Sequence, residues 1–288
     1  MKTVAAIIGG AGGIGRATAI ALSKQVDVIV IGDLLQENID YTSKILTSLN
    51  IEHVCKVMDV REREQVDDFA AFAAAQGDLV ISVNIAGVGP STTYKGTPYS
   101  TCRETYDTNS WGAFNSIEAF LAHAKEGYVH IETASQASYY ADMDDAKLEI
   151  FKSVTSSTRE EFLDAMCSIT DIFIDDPEED EPEVNGQAYC FSKRFVRELA
   201  NASTWRFARK GARILTISPG THWTCHVWDL DEDSREGNHA LTPLGTYGRT
   251  VDLGQIYAFA ASPVAKYISG ADILVDGGGT TSFGSWKL

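Results

Sequence analysis

No stretch of the chain approaches the roughly 20 consecutive apolar residues that cross a bilayer, so no membrane span is expected. The opening run MKTVAAIIGGAGGIG holds only about six apolar residues before its glycines and has no cleavage-type ending, so it reads as folded structure, not a secretion signal. Cysteine is scarce: Cys55, Cys102, Cys167, Cys190 and Cys225 are odd in number, scattered and never in CxxC spacing. That argues against a disulfide framework and implies free thiols in a reducing cytoplasm. The six histidines show no ligand spacing, so no metal is expected. Positive charge is also short, with 24 Lys and Arg against 40 Asp and Glu and a formal net charge of −16. Nucleic acid, whose phosphates need clustered Lys and Arg, is thereby set aside as a partner.

Of the 288 residues, 44% are hydrophobic and 24 are glycine, the make-up of a globular protein. Short β-favouring runs predict strands at Thr3–Ile8, Val26–Gly32, His53–Met58, Leu79–Asn84, Tyr128–Thr133, Ala212–Ser218 and Asp272–Val275. Helical patterns fall between them at Ile14–Lys24, Leu35–Leu49, Arg63–Ala75, Cys102–Lys125, Ala188–Lys210 and Val251–Ala261. Such alternation predicts one α/β domain over residues 1–288, a three-layer, doubly wound, Rossmann-like parallel sheet of about seven strands.

Tyr139–Gly186 breaks the rhythm, standing where a loop of a dozen residues at most is normal. It carries fifteen acids against three bases, a local net of −12, so most of the charge imbalance is local. Its middle reads as a helix. Thr158-Arg-Glu-Glu161 fits a capping box, and Phe162, Met166, Ile169 and Phe173 recur on one face. That stripe is expected to bury against a neighbouring subunit or to cover the active-site rim. Asp175–Glu183, with seven acids and two prolines, reads as a solvated loop.

Chemistry enters at Gly9-Gly10-Ala11-Gly12-Gly13-Ile14-Gly15, directly after the first strand and opening a helix. Positions without side chains let main chain approach a pyrophosphate, and the helix N-terminus offers it free N–H groups. Asp33 closes the second strand 18 residues after Gly15, where a carboxylate accepts bonds from ribose hydroxyls. A 2′-phosphate would meet like charge there, and neither Gly10–Gly12 nor Leu34–Leu35 supplies Lys or Arg to bind one, so NAD is expected over NADP.

The ordered motifs resemble the short-chain dehydrogenase/reductase family. GGAGGIG is similar to its Gly-x-x-x-Gly-x-Gly cofactor signature, with Ile8 in place of the usual Thr or Ser. Met58-Asp59-Val60 resembles the adenine-contacting Asp-Val pair, and Asn84-Ile85-Ala86-Gly87 the Asn-Asn-Ala-Gly motif, with Ile85 replacing the second Asn. Asp107-Thr108-Asn109, Thr133-Ala134-Ser135 and Tyr189-Cys-Phe-Ser-Lys193 match the family's asparagine, serine and Tyr-x-x-x-Lys landmarks. Ser218-Pro219-Gly220 and Val275-Asp276-Gly277-Gly278 complete the run, so the likeness extends from Val4 to Gly278.

By this resemblance the catalytic residues are Asn109, Ser135, Tyr189 and Lys193. Cofactor contacts are expected at Gly9, Gly13, Ile14, Gly15, Asp33, Leu34, Asp59, Val60, Asn84, Ala86, Gly87, Tyr189, Lys193, Pro219, Gly220 and Thr224. Ser135, Tyr189, Trp223 and Trp228 are expected to meet substrate, with His222 and His226 beside them. The physics of the pair stands apart from the likeness. Residues 189 and 193 share one helix face about 6 Å apart along the axis. An ordinary tyrosine, with a pKa near 10, becomes a base at neutral pH only if nearby positive charge contributes roughly 4 kcal/mol. Tyr189 would then exchange the hydroxyl proton, Ser135 would hold the substrate oxygen, and Asn109 would steady a water relaying protons through Lys193.

The implied reaction is interconversion of a secondary alcohol and a ketone with NAD. The ending Ser262-Pro-Val-Ala-Lys-Tyr-Ile-Ser-Gly270 and the long insertion resemble the bacterial 3α-hydroxysteroid dehydrogenase/carbonyl reductase subgroup, which implies a hydroxysteroid or bile-acid-like substrate. Alternatives are a reductase of another bulky apolar or small carbonyl compound and, from another class, a non-catalytic NAD-binding redox sensor. Family members associate through the helices matching Cys102–Lys125 and Ala188–Lys210, which implies a homodimer or homotetramer.

Overall fold

The computed structural model describes residues 1–89, 98–170, 181–224 and 242–282. Seven strands, β1 (Thr3–Ile8), β2 (Val28–Asp33), β3 (His53–Val57), β4 (Asp78–Asn84), β5 (Val129–Thr133), β6 (Arg213–Pro219) and β7 (Asp272–Val275), form one sheet in the order β3-β2-β1-β4-β5-β6-β7. Every pairing is parallel. Helices α1 (Gly13–Leu22), α2 (Gln36–Ser48) and α3 (Arg63–Ala74) link the first four strands. Next come α4 (Pro98–Tyr106), α5 (Gly112–His123), α6 (Asp145–Ser153), α7 (Arg159–Ile169) and α8 (Glu181–Ala208). The last are α9 (Thr250–Ala261) and the single turn α10 (Gly279–Ser282).

The central strands are aliphatic because helices cover both of their faces. On β1, Val4, Ala6 and Ile8 join the core beneath α3, α5 and α8, while Ala5 and Ile7 join the core beneath α1, α2 and α9. Full burial of each such larger side chain stabilises the fold by about 1.5–3 kcal/mol. The order reverses between β1 and β4, and that reversal opens a crevice beyond their carboxyl ends.

Several boundaries shift by a residue or two from the sequence reading, and α8 begins at Glu181, so Glu181–Glu183 open a helix where a loop was expected and Ala188 lies inside it. Two of the differences have local reasons. β2 begins at Val28, not Val26, because the Asp27 carboxylate accepts bonds from the Thr3 main-chain N–H and hydroxyl. The helix expected over Cys102–Lys125 is interrupted by a π-turn at Asp107–Trp111, a wider winding that often marks a functional position.

The insertion corrects a larger expectation. Its capping box forms as read, with Thr158 and Glu161 bonding reciprocally at the start of α7. Phe162, Met166 and Ile169, however, face neither a partner nor the rim; they are buried in this chain's own core. The Phe162 ring lies 5.1 Å from that of Phe195 on α8 and 5.6 Å from that of Trp111. Helix α6, which the sequence reading did not identify, is N-capped by Asp144 and sets Phe151 edge-on against Phe195 at 5.1 Å. Phe173 and most of Asp175–Glu183 lie outside the described residues.

Candidate active site

At the end of β1 the chain turns with Gly9 at φ +71°, and the Gly9 and Gly10 N–H groups bond the Gly32 carbonyl at 2.8 and 3.2 Å. A β-carbon on Gly9 would lie 2.6 Å from the Ala86 nitrogen, and one on Gly15 only 2.1 Å from the Gly9 oxygen. Glycine is therefore required for α1 to start so close to the turn. Gly12 precedes α1 without a capping side chain, leaving that end to main-chain N–H groups. Asp33 faces the turn from β2, its Oδ2 accepting the Ala11 N–H at 3.0 Å.

These elements wall a cleft of about 360 Å³. Gly9, Gly13, Ile14, Gly15, Asp33 and Leu34 line it from the β1–β2 side, and Asp59, Val60, Ala86, Gly87 and Thr224 from the other. Five expected contacts are not in its lining: Tyr189 and Lys193, which stand beside it, and Asn84, Pro219 and Gly220. Asn84 is buried, with its amide bonded to Glu132 and its oxygen to the Ala86 N–H. Pro219 ends β6, and Gly220 packs on Asp276, where a β-carbon would approach the Asp276 Cα to 2.5 Å. The sequence reading missed Asn38, Arg61, Glu104 and Thr108 in the lining. Arg61 had a signal: two residues after Asp59, it grips that carboxylate through Nε and Nη2, and the bond holds the Asp59 carboxyl below its ordinary pKa against the opposing effect of burial.

The four expected catalytic residues converge beside this cleft. Ser135 follows β5 and is buried, its Oγ accepting the Ala137 N–H at 3.1 Å while bonding the Tyr189 hydroxyl. Lys193 Nζ is 6.0 Å from the Tyr189 ring centre and donates to the Thr133 carbonyl at 3.0 Å. Gly87 fits around the group: a β-carbon there would sit 3.0 Å from Lys193 Nζ and 3.1 Å from Asn109 Oδ1. Asn109 is held by the π-turn. Its oxygen accepts the Val88 N–H at 2.8 Å and its amide donates to the Val88 carbonyl and Ser192 Oγ, both at 3.0 Å. The side chain therefore splices the β4 loop to the helix bearing the tyrosine.

Electrostatics sharpen one expectation. Burial pushes the Lys193 ammonium down to about 8, with Glu132 opposing. Burial also holds the Tyr189 phenol above its ordinary value despite the bond to Ser135. In the protein alone, desolvation outweighs the bond to Ser135, so any lowering of the phenol needs added positive charge.

Trp223, next to the cleft-lining Thr224, is partly exposed and meets Tyr247 edge-on at 4.7 Å. His222 is buried, bonds the Gly220 carbonyl through Nδ1, and packs on Gly248. Trp228 and His226 lie outside the described residues. Among the described residues no group of three or more His, Cys, Asp or Glu is placed to hold a metal, and no helix is long and apolar enough to cross a membrane.

Comparison with known proteins agrees along the whole chain. The family model described as short chain dehydrogenase matches residues 3–143, and one described as enoyl-(acyl carrier protein) reductase matches residues 175–280. A 2,5-dichloro-2,5-cyclohexadiene-1,4-diol dehydrogenase of Sphingobium indicum is 25% identical over 276 residues, covering 96% of this chain and 95% of its own. A cis-4-hydroxycyclohexanecarboxylate dehydrogenase of Sinomonas cyclohexanicum is 26% identical, covering 97% of both. The solved structure of a Serratia marcescens short-chain dehydrogenase/reductase superposes with a TM-score of 0.73 at 17% identity, over 96% of this chain and 98% of that one.

Proposed function

Because the chain belongs to the short-chain dehydrogenase family, we propose that it is an oxidoreductase interconverting a ring-borne secondary alcohol and its ketone with NAD(H). The observation that carries this reading is the convergence of Ser135, Tyr189 and Lys193 beside a glycine-walled cleft ending at Asp33. The cleft fits a dinucleotide: β-carbons at Gly9 and Gly15 would strike the chain's own main chain, so glycine there sets the uncapped N-terminus of α1, with its free N–H groups, at the cleft wall where a pyrophosphate would lie. Once bound, the nicotinamide supplies the hydride acceptor or donor.

The chain's own groups handle the proton. Ser135 holds the substrate oxygen against Tyr189, which accepts the hydroxyl proton in oxidation and returns it in reduction. The Lys193 ammonium, charged below about pH 8, stabilises the phenolate, and the positive charge still needed is that of the oxidised nicotinamide. Asn109, spliced to Val88 and Ser192, keeps one side of Lys193 fixed while a water passes the proton outward.

Asp33 supports NAD over NADP. The nearby arginines are engaged: Arg61 with Asp59, and Arg16 with Thr42 Oγ1 and the Tyr41 ring. Both named relatives act on alcohols of six-membered carbon rings, which supports a ring hydroxyl, and the hydroxysteroids and bile acids are the larger members of that class. Association as a homodimer or homotetramer through α5 and α8 belongs to the same proposal, supported by exposed Trp205 on α8. A panel of cyclohexanols, hydroxysteroids and bile acids, assayed with NAD and NADP by nicotinamide absorbance, tests the reading. Turnover with NAD on a ring alcohol is expected; binding without turnover on every member would sink it.

A further inference from the structure

One buried cluster has no part in the tetrad. β5 reads Val-His-Ile-Glu-Thr, placing His130 and Glu132 on one face of the strand, opposite Ser82 and Asn84 of β4 and each at 1% exposure or less. A chain of hydrogen bonds runs through them. Tyr128 OH donates to Ser82 Oγ at 2.5 Å, and Ser82 Oγ meets His130 Nδ1 at 2.6 Å. His130 Nε2 meets Glu132 Oε1 at 2.8 Å, and Asn84 Nδ2 donates to Glu132 Oε2 at 2.8 Å. The His130 ring lies between those of Phe120 and Phe207, at 5.6 and 5.7 Å.

With Glu132 a carboxylate, one arrangement of protons satisfies every member of the chain. The Tyr128 phenol is fully buried and strongly raised, so it stays neutral and occupies Ser82 Oγ as donor. The Ser82 hydroxyl proton then points to His130 Nδ1, which leaves the imidazole proton on Nε2, facing Glu132. Asn84 Oδ1 already accepts the Ala86 N–H, so its amide faces the other carboxylate oxygen. Both oxygens of Glu132 then meet donors, and in that arrangement the cluster carries one negative charge in a dry interior.

We propose that Glu132 is a positioning residue whose buried negative charge keeps Lys193 an ammonium beneath Tyr189. Lys193 Nζ bonds the carbonyl of Thr133, the residue next to Glu132. Among the charges that act on Lys193, Glu132 is the one that favours its ammonium form. The other titratable groups against the cluster, among the described residues, are His130 on β5, Tyr128 just before it, and Tyr257 on α9, whose hydroxyl bonds Thr133 Oγ1 at 2.6 Å. Burial keeps the phenols of Tyr128 and Tyr257 neutral, so neither competes for Lys193. With the carboxylate in place, a Tyr189–Lys193 pair that has lost one proton is phenolate and ammonium; without it, phenol and amine gain ground.

The inference rests on the proton-transfer role proposed for Tyr189, and its test separates the two. Glu132→Gln removes the charge but keeps the shape, since a tautomer shift of His130 lets it accept from the amide. Glu132→Asp keeps the charge. In Glu132→Gln the acidic limb of the alcohol-oxidation profile should move to lower pH by roughly one unit, because a lost negative charge eases proton release. Its plateau should fall about tenfold as the phenolate loses its ammonium. Glu132→Asp should keep the unsubstituted limb. A limb unmoved in the Gln variant, or moved equally in both, overturns the proposal. If no alcohol is oxidised, ultraviolet titration of tyrosinate in the free protein, with Tyr189→Phe subtracted, reads the same shift independently of turnover. Infrared spectra of the unsubstituted protein need no variant to fold: a buried protonated carboxyl band at neutral pH overturns the proposal, and its absence is the expected result.

Discussion

The cofactor cleft and the Tyr189 side of the site share the carboxyl ends of one sheet, yet the glycine turn that shapes the first is a matter of main-chain sterics, while the second is built from buried charges and aromatic rings. The cleft is set by local sterics: Gly9, Gly15 and the end of β1 need only their immediate neighbours. The catalytic side is set by groups far apart in sequence. Arg159, at the start of α7, reaches Asp107 with bonds of 2.8 and 2.5 Å and Glu62 at 3.0 Å, clamping the insertion to the π-turn that bears Asn109. Hydrogen bonding to Asp107 raises the Arg159 guanidinium further above its ordinary value, so the clamp stays charged at every working pH. One half of the site is a shape and the other is a balance of burial against charge.

Substitutions can break that contrast. The largest effect is expected for Tyr189→Phe: single-turnover rates should fall by roughly 10²–10⁴ while cofactor affinity, read by fluorescence, stays put. Lys193→Met should also lose activity, yet gain stability. The folded pKa of about 8 lies below the ordinary 10.5, so burying the ammonium costs stability at every pH below about 8, and that cost fades as pH rises towards 10.5. Urea unfolding at pH 7 should therefore show a gain of up to about 3 kcal/mol over the unsubstituted protein, lost in strongly alkaline buffer. An equal gain at both pH values would mean that packing, not charge, governs the position.

Gly15→Ala probes the other half. Its β-carbon meets the Gly9 oxygen, so a loss of about 1–3 kcal/mol is expected, with weaker cofactor binding by calorimetry. The smallest effect is expected for Arg159→Met, which leaves mostly buried Asp107 unpaired. Because the Arg159 side chain is 30% exposed, the destabilisation should be only about 1 kcal/mol. Turnover should fall while the cofactor dissociation constant holds; if both change together, the two halves of the site are coupled.

The same contrast explains what could be read in advance. Strand–helix alternation carried the sheet, because parallel strands covered on both faces are aliphatic runs, and the glycine turn and Tyr189–Lys193 spacing are local patterns. Glu132 and His130 look like ordinary strand residues until the partner strand supplies Ser82 and Asn84. The apolar stripe of α7 was visible, but not what it covers: Phe195 and Trp111 come from other segments. Likewise, the raised Tyr189 phenol reflects desolvation by the assembled fold, which no spacing encodes.

The place of β1 has a consequence for synthesis. Of the seven strands, β1 is translated first and becomes an interior one, with β2 on one side and β4 on the other. As the chain leaves the ribosome, β1 pairs with β2 early, but its other edge stays open until Asp78–Asn84 has been translated, and β5 to β7 are added only afterwards. For that interval a dry, hydrogen-bond-hungry strand edge is presented to its surroundings, so the nascent half-sheet is a natural client for chaperones and the stage most prone to aggregate.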